Sequence, residues 1–385
     1  MSEASWLEIA RGLRPLVEKH AQSDATPIAH EVVDALRASG LYGVLTPKEV
    51  HGLELSLVEA LDIVEELSYA DGSTGWCYMA CATTSAFMGA WTSDAFVAEV
   101  YADGVPLIAG QLAPNGTGPK VDGGARITGR YQFGSGIEHS DLVGLGYVVT
   151  DGDAPPEYRM GAITRDSVTI TGNWDVMGLR ATASYDYTVD DVFVSDDASY
   201  AYVAPGSIAP LHRRGGSVYD LGVLILTCVG HAGWAMGIAR RALDELRGLA
   251  PSKQRMGAAS VLSEGERFLH DYARLEQRAR ASAGRVRETF ERAQDAAERG
   301  AADALLSAEV RSVNAFVTEE AAEIVRACYL MAGTTGLRSG PLERAFRDIH
   351  AGTQHAMVNP QHHVDWARNL MTPSASDGPE APSSS

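Results

Sequence analysis

Hydrophobic periodicity changes twice along these 385 residues, and the two changes constrain the fold more than any single motif does. Up to about residue 105 the apolar residues recur at helical spacing. From about Leu107 short alternating segments rich in Gly, Thr, Asn and Val take over, and from about Leu221 to Leu370 long helical stripes return. A helix-period pattern does not settle as a strand, nor the reverse. The expectation is an α+β fold in four stretches. These are an N-terminal helical domain over 1–106, a central β domain over 107–205, an antiparallel helical bundle over 206–371 and a disordered tail over 372–385.

Local signals agree with that division. Ile28 to Ser39 carries a helical stripe that stops at Gly40. Ser56 and Glu59 form a capping box for a helix over Leu57 to Tyr69, with Leu57, Ala60, Leu61, Val64 and Leu67 on one face. Asp71-Gly-Ser-Thr74 breaks that helix and caps the next, a run from Gly75 to Trp91 that is too apolar for a surface helix. Strands are expected at Arg126 to Phe133, Leu142 to Thr150, Ser167 to Thr171 and Tyr185 to Val194. Long helices follow over Leu221–Leu246, Leu262–Phe290 and Ala301–Met331. A last helix opens at Pro341 and turns Leu342, Ala345, Phe346 and Ile349 to the core, with Arg347 and Asp348 as a structural ion pair. His212-Arg-Arg214 reads as a mobile lid or a solvated linker.

The net charge of −18 argues against a nucleic-acid or anionic-membrane partner, because both need clustered Lys and Arg. No apolar run reaches transmembrane length. The four cysteines, Cys77, Cys81, Cys228 and Cys328, lack metal-ligand spacing, and Cys77 and Cys81 read as small buried residues. A soluble, cytoplasmic enzyme without a metal is the expectation. There is no G-x-G-x-x-G after a strand and no P-loop, so the common nucleotide-binding folds are excluded.

Two loops of the β domain are candidates for ligand contact. In Phe133-Gly-Ser-Gly-Ile-Glu-His139, small residues admit a ligand to the backbone and leave the Ser135 hydroxyl and N–H available. In Trp174-Asp-Val-Met-Gly-Leu-Arg-Ala-Thr182, an aromatic and a single Arg suit a flat ring joined to a phosphate. Near the C-terminus, His350 and His355 are the groups that titrate near neutrality, and the core face of the last helix needs neither.

The order of these parts resembles the acyl-CoA dehydrogenase fold. The motifs that carry the resemblance are Gly40-Leu-Tyr-Gly-Val-Leu-Thr-Pro47 with Gly52-Leu-Glu-Leu55, then Asp71-Gly-Ser-Thr-Gly-Trp76 and the two β-domain loops. Ala332-Gly-Thr-Thr-Gly-Leu337 and Arg344-Ala-Phe-Arg-Asp348 complete the set. Acyl-CoA dehydrogenases commonly carry a catalytic Glu before a Gly-Thr pair; here that position is Ala351, or Ala356 if alignment starts from Arg347-Asp348. Neither can take a proton.

The chain looks most like the flavin-dependent monooxygenases built on that fold. The resemblance implies reduced FAD or FMN, O₂ as co-substrate, a separate NAD(P)H:flavin reductase and a homotetramer or homodimer. It also implies hydroxylation of a phenol- or indole-like aromatic through a C4a-hydroperoxyflavin. It places Ser135 at the reactive edge of the flavin, and Trp174, Met177, Gly178, Leu179, Arg180 and Thr182 in the flavin site. Trp76, Thr84 and His139 would meet the substrate, and His355 would be its base or hydrogen-bond partner, with His139 as the alternative base. Several relatives carry a second His on the helix after the Trp76 motif; the run from Cys77 to Trp91 has none. An FAD-dependent acyl-CoA dehydrogenase-type enzyme and a non-catalytic flavin-binding scaffold are the competing readings.

Overall fold

The computed structural model describes residues 5–22, 26–202 and 212–372, so the tail expected beyond Thr372 lies outside the described residues. Five helices come first: α1 (Trp6–Ala21), α2 (His30–Ala38), α3 (Leu57–Ala70), α4 (Gly72–Trp91) and α5 (Asp94–Val100). Ser56 and Glu59 close the expected capping box on α3. The break between α3 and α4 is a single residue, because Asp71 ends one helix and caps the other through a 2.8 Å bond from the Thr74 N–H. Helix α4 is buried along almost its whole length, as its composition required.

Seven strands form one sheet: β1 (Ile108–Val121), β2 (Gly124–Gly134), β3 (Leu142–Thr150), β4 (Glu157–Thr164), β5 (Thr169–Ile170), β6 (Tyr185–Ser195) and β7 (Ser199–Ala201), in the order β5-β6-β2-β1-β3-β4-β7. Pairing is antiparallel throughout except between β1 and β3. Strands β1, β4 and β7 escape the sequence pattern. β1 carries Gly and Pro at Pro114, Gly116, Gly118 and Pro119, and its register with β3 shifts twice, which blurs a period-two alternation.

The bundle is built from α6 (Gly222–Leu249), α7 (Glu266–Glu298) and α8 (Ala304–Ala332), with α9 (Pro341–Gly352) and α10 (Gln361–Met371) closing it. Among the described residues one helical stretch, Ser217–Leu249, is long and apolar enough to cross a membrane, and 78 % of its most apolar window is buried inside this fold. It approaches α3 closely: a Cβ added at Gly237 would lie 2.3 Å from the Glu65 carbonyl oxygen. This contact turns Trp234 and His231, about one and two helical turns earlier, toward α9 and α4.

His212-Arg-Arg214 is neither lid nor solvated linker. The Arg213 N–H donates to the Ala90 carbonyl, and the Arg214 guanidinium donates to the carbonyls of Gly89 and Thr92 and pairs with Asp94. The last carbonyls of α4 lack helical partners and carry the negative end of its dipole, so a cation settles there.

Candidate active site

The register of the sheet assembles one wall of the site. Gly134 at the end of β2 pairs with Tyr185 at the start of β6, so Ser135 and Ser184 just beyond them lie side by side. Because β5, β6 and β2 are neighbours, the loop joining β5 to β6 brings Trp174 beside Phe133, ring centroids 6.1 Å apart and nearly perpendicular. Phe133 and Met177 are 57 % and 56 % exposed, an apolar surface turned to solvent next to a closed core.

A directed hydrogen-bond chain runs inward from this wall. The Thr182 hydroxyl donates to the Leu179 carbonyl at 2.7 Å and therefore accepts from Ser184, also at 2.7 Å. Ser184 in turn accepts from Ser135 at 2.7 Å, and the Ser135 oxygen accepts the Trp76 indole N–H at 3.1 Å. The Ser135 backbone N–H donates to the Phe133 carbonyl. Both groups read from sequence as available are thus engaged within the chain.

Helix α9 supports the same loop from behind. The Leu179 N–H donates to Asp348 Oδ1 at 2.6 Å, and a Cβ at Gly178 would lie 2.1 Å from the Arg347 carbonyl oxygen. Arg347 and Asp348 are not an ion pair: the Arg347 guanidinium turns to Glu343 at 2.5 Å and to the Met177 carbonyl, while Asp348 is buried facing Asp71. Successive helical residues point about 100° apart, so neighbours in sequence rarely share a partner. Burial and the Asp71 carboxylate push Asp348 up to about 7, against the Leu179 N–H and the charges of Arg347 and Arg344.

The C-terminal wall holds two imidazoles. α9 ends at Gly352, where the Trp234 ring packs so closely that a Cβ would lie 2.1 Å from it; the Trp234 N–H donates to the Gly72 carbonyl at the start of α4. His355 lies past that end in extended backbone, φ −75° and ψ 142°, and its Nδ1 accepts the Met357 N–H at 3.2 Å. Its ring meets Trp76 at 5.5 Å, nearly perpendicular, and His231 at 4.4 Å with 33° between planes. His231 is 4 % exposed and also meets Trp76, at 5.2 Å. Desolvation lowers both: His355 is pushed down to about 4, and His231 well below its ordinary value, with the neighbouring His355 adding to the effect. His355 is nevertheless exposed to solvent at the chain surface.

Trp76, Ser135 and His355 therefore come together, with Trp174, Met177 and Thr182 joined to them through the relay and the β wall. Other candidates are placed elsewhere. The Thr84 hydroxyl bonds back to the Ala80 carbonyl at 2.9 Å, and its methyl faces Gly144 in the sheet. His139 bonds the Ile28 carbonyl at 2.9 Å and packs edge-on against His30, at the joint between α2 and the sheet. The Arg180 carbonyl receives the Thr26 hydroxyl. His350 bonds the Phe346 carbonyl and rests on the Phe346 ring, which itself stacks on Tyr329. His231 was not a sequence candidate: a lone His in an apolar helix carries no signal of its neighbours.

Two family descriptions match the chain: the acyl-CoA dehydrogenase N-terminal domain over residues 8–96 and its C-terminal domain over residues 229–360. The indole-3-acetate monooxygenase of Pseudomonas putida is 30 % identical over 336 residues, 86 % of this chain and 84 % of its own. A pigment production hydroxylase from a Rhodococcus species is 30 % identical and covers 92 % of both chains. Among solved structures, the 3-HSA hydroxylase of Rhodococcus sp. RHA1 superposes with a TM-score of 0.87 at 24 % identity, covering 96 % of this chain and 97 % of its own. XiaF from Streptomyces, solved with FADH₂, gives 0.86 at 21 % identity, covering 96 % and 95 %. The chain belongs to the acyl-CoA dehydrogenase family, in its flavin-dependent monooxygenase branch.

Two features set this acyl-CoA dehydrogenase-family site apart from a dehydrogenase. Ala351 and Ala356 flank the turn that carries His355, so neither candidate position for a Glu supplies a carboxylate. The half of α6 that holds His231, residues 222–239, has no acidic residue either, and Asp244 and Glu245 further along are paired with Arg240 and Arg241. The residues present suit a flavin. Phe133, Met177 and half-buried Trp174 offer an apolar surface on which a flat ring can rest, and the relay through Ser135 ends beside it.

Proposed function

We propose that this chain is the oxygenase component of a two-component, reduced-flavin-dependent monooxygenase that hydroxylates a small phenol- or indole-like molecule. Reduced FAD or FMN, delivered by a separate reductase, supplies the activation of O₂ when bound. The chain's own residues do the rest. Trp174, Met177 and the 178–182 backbone seat the ring, and the Trp76–Ser135–Ser184–Thr182 relay fixes the Ser135 oxygen at its edge. The Trp76 indole packs against both imidazoles, and Trp76 and His231 are buried, which limits water on that side of the reacting atoms. His355 meets the polar group of the substrate.

The observation that carries this reading is a pair of histidines, His231 and His355, packed against each other and against Trp76 where a dehydrogenase needs a carboxylate. Purified protein, FAD or FMN, a flavin reductase and ¹⁸O₂ are incubated with a panel of phenols and indoles. The expected product carries one ¹⁸O atom. Absence of ¹⁸O from every aromatic, together with reduction of tightly bound FAD by an acyl thioester, would overturn the proposal. By the family resemblance, the chain assembles as a homotetramer or homodimer through the C-terminal bundle.

A further inference from the structure

His231 has a buried, polar side chain with no hydrogen-bond partner among the described residues, while His355 next to it is held in one tautomer by its own backbone. The Met357 N–H is a donor and nothing else, so the His355 Nδ1 that receives it carries a lone pair. Neutral His355 therefore bears its proton on Nε2 and presents a donor to the cleft. To become a base at Nδ1 it must give up the Met357 bond. Nearly all buried polar groups are satisfied, and those that are not ask for a ligand. His231, tilted against His355 and edge-on to Trp76, has no described group on its lone pair, whereas that of His355 is engaged by Met357.

Resting on the monooxygenase reading, we propose that the site has a fixed polarity: His355 Nε2–H holds the substrate, and His231 accepts its proton. In the step itself the substrate's O–H or N–H bond breaks, its electron pair stays on the substrate and enriches the ring carbon that takes oxygen, and an N–H bond forms on His231. Oxygen transfer then replaces the ring C–H: the proton released from that carbon and the one held by His231 restore the substrate O–H or N–H and neutralise the oxygen left on the oxidant, so His231 ends neutral. A phenol oxygen satisfies both imidazoles, since a hydroxyl donates and accepts, whereas an indole N–H engages His231 alone. Among the described residues, no carboxylate, amine or guanidinium competes for the pair. α4 brings Trp76, α6 brings Trp234, and His355 is the one titratable group whose charge acts on His231.

Two measurements test this. The first is the ¹⁵N spectrum of histidine-labelled, ligand-free protein near pH 7.5, with His355 assigned as the signal missing from His355→Gln. Protonation on Nε2 is expected, and protonation on Nδ1 overturns the proposal without any need for turnover. The second compares kcat on phenol with kcat on fluorinated phenols already ionised at the assay pH. His231→Gln should lose ~10²–10⁴-fold on phenol, the usual worth of a general base, and far less on the ionised substrates. His355→Gln, which keeps an N–H donor, should chiefly raise KM and show no such rescue. Equal losses on neutral and ionised substrates for His231→Gln, or rescue confined to His355→Gln, would sink the assignment. A protein that oxygenates no aromatic but has His355 protonated on Nε2 sinks the functional reading instead and leaves the polarity standing.

Discussion

Asp348 and Leu179 lie 169 residues apart and meet through a 2.6 Å hydrogen bond from the Leu179 N–H to Asp348 Oδ1. That bond ties the loop between β5 and β6 to α9, the helix that leads into His355. Leu179 itself sits at φ +56°, a left-handed conformation that a side chain other than Gly adopts only when its surroundings impose it.

The bond has a pH signature. Asp348 is pushed up to about 7, chiefly by burial and by Asp71, whereas in an unfolded chain it titrates near 4. The folded state therefore binds more protons than the unfolded state between those values. Stability from this group is complete below about pH 4 and is lost as pH rises through about 7. Asp348→Asn keeps an acceptor for Leu179 and removes the titration. Its stability relative to the unaltered protein should rise from pH 5 to pH 8 in denaturant titrations; a constant difference would refute the account.

The relay predicts non-additivity. Ser135→Ala strands the Trp76 indole N–H in a buried site, a loss of ~1–3 kcal/mol. In Trp76→Phe the same Ser135 substitution should cost much less, because the stranded donor is already gone. A double-mutant cycle that closes additively would show that the bond contributes nothing.

Gly352 is expected to tolerate no side chain. A Cβ there overlaps the Trp234 ring, so Gly352→Ala forces Trp234 or α9 to move, at ~1–3 kcal/mol. Because His355 follows three residues later, kcat should fall in proportion more than flavin affinity. Thermal melts and flavin titrations on the same preparation separate the two effects.

Phe133 makes the cofactor seat testable without touching the core. It is 57 % exposed, so Phe133→Ser should leave the melting temperature nearly unchanged. Binding of FAD and FMN, followed by quenching of flavin fluorescence, should weaken on the order of tenfold for a lost aromatic contact. Unchanged affinity would remove Phe133 from the site.

The helix–sheet–helix order, the Ser56 and Asp71 caps, the burial of α4 and the stripe on α9 were all legible in the chain, because each depends on residues a few positions apart. The grouping of Trp76, Ser135 and His355 came from family resemblance; spacing alone gave no hint of it. Strands β1, β4 and β7 were hidden by glycines, prolines and edge brevity. The last helix stops at Gly352, short of His355, where Trp234 packs against the backbone, a contact no local pattern contains.

By itself, then, the sequence determined the helix–sheet–helix order, the long helices and four of the described strands, that no carboxylate stands before Gly352-Thr353, and that a second histidine is missing from α4. Only the tertiary structure decided which side chains share the cleft. It parted Arg347 from Asp348, withdrew His139 and Thr84 to other interfaces, and supplied the second imidazole from α6 as His231. The reason is that periodicity reports the face a residue presents, whereas a site is made where faces from distant segments meet, and the close packing of α6 on α3 and α4 sets that meeting point.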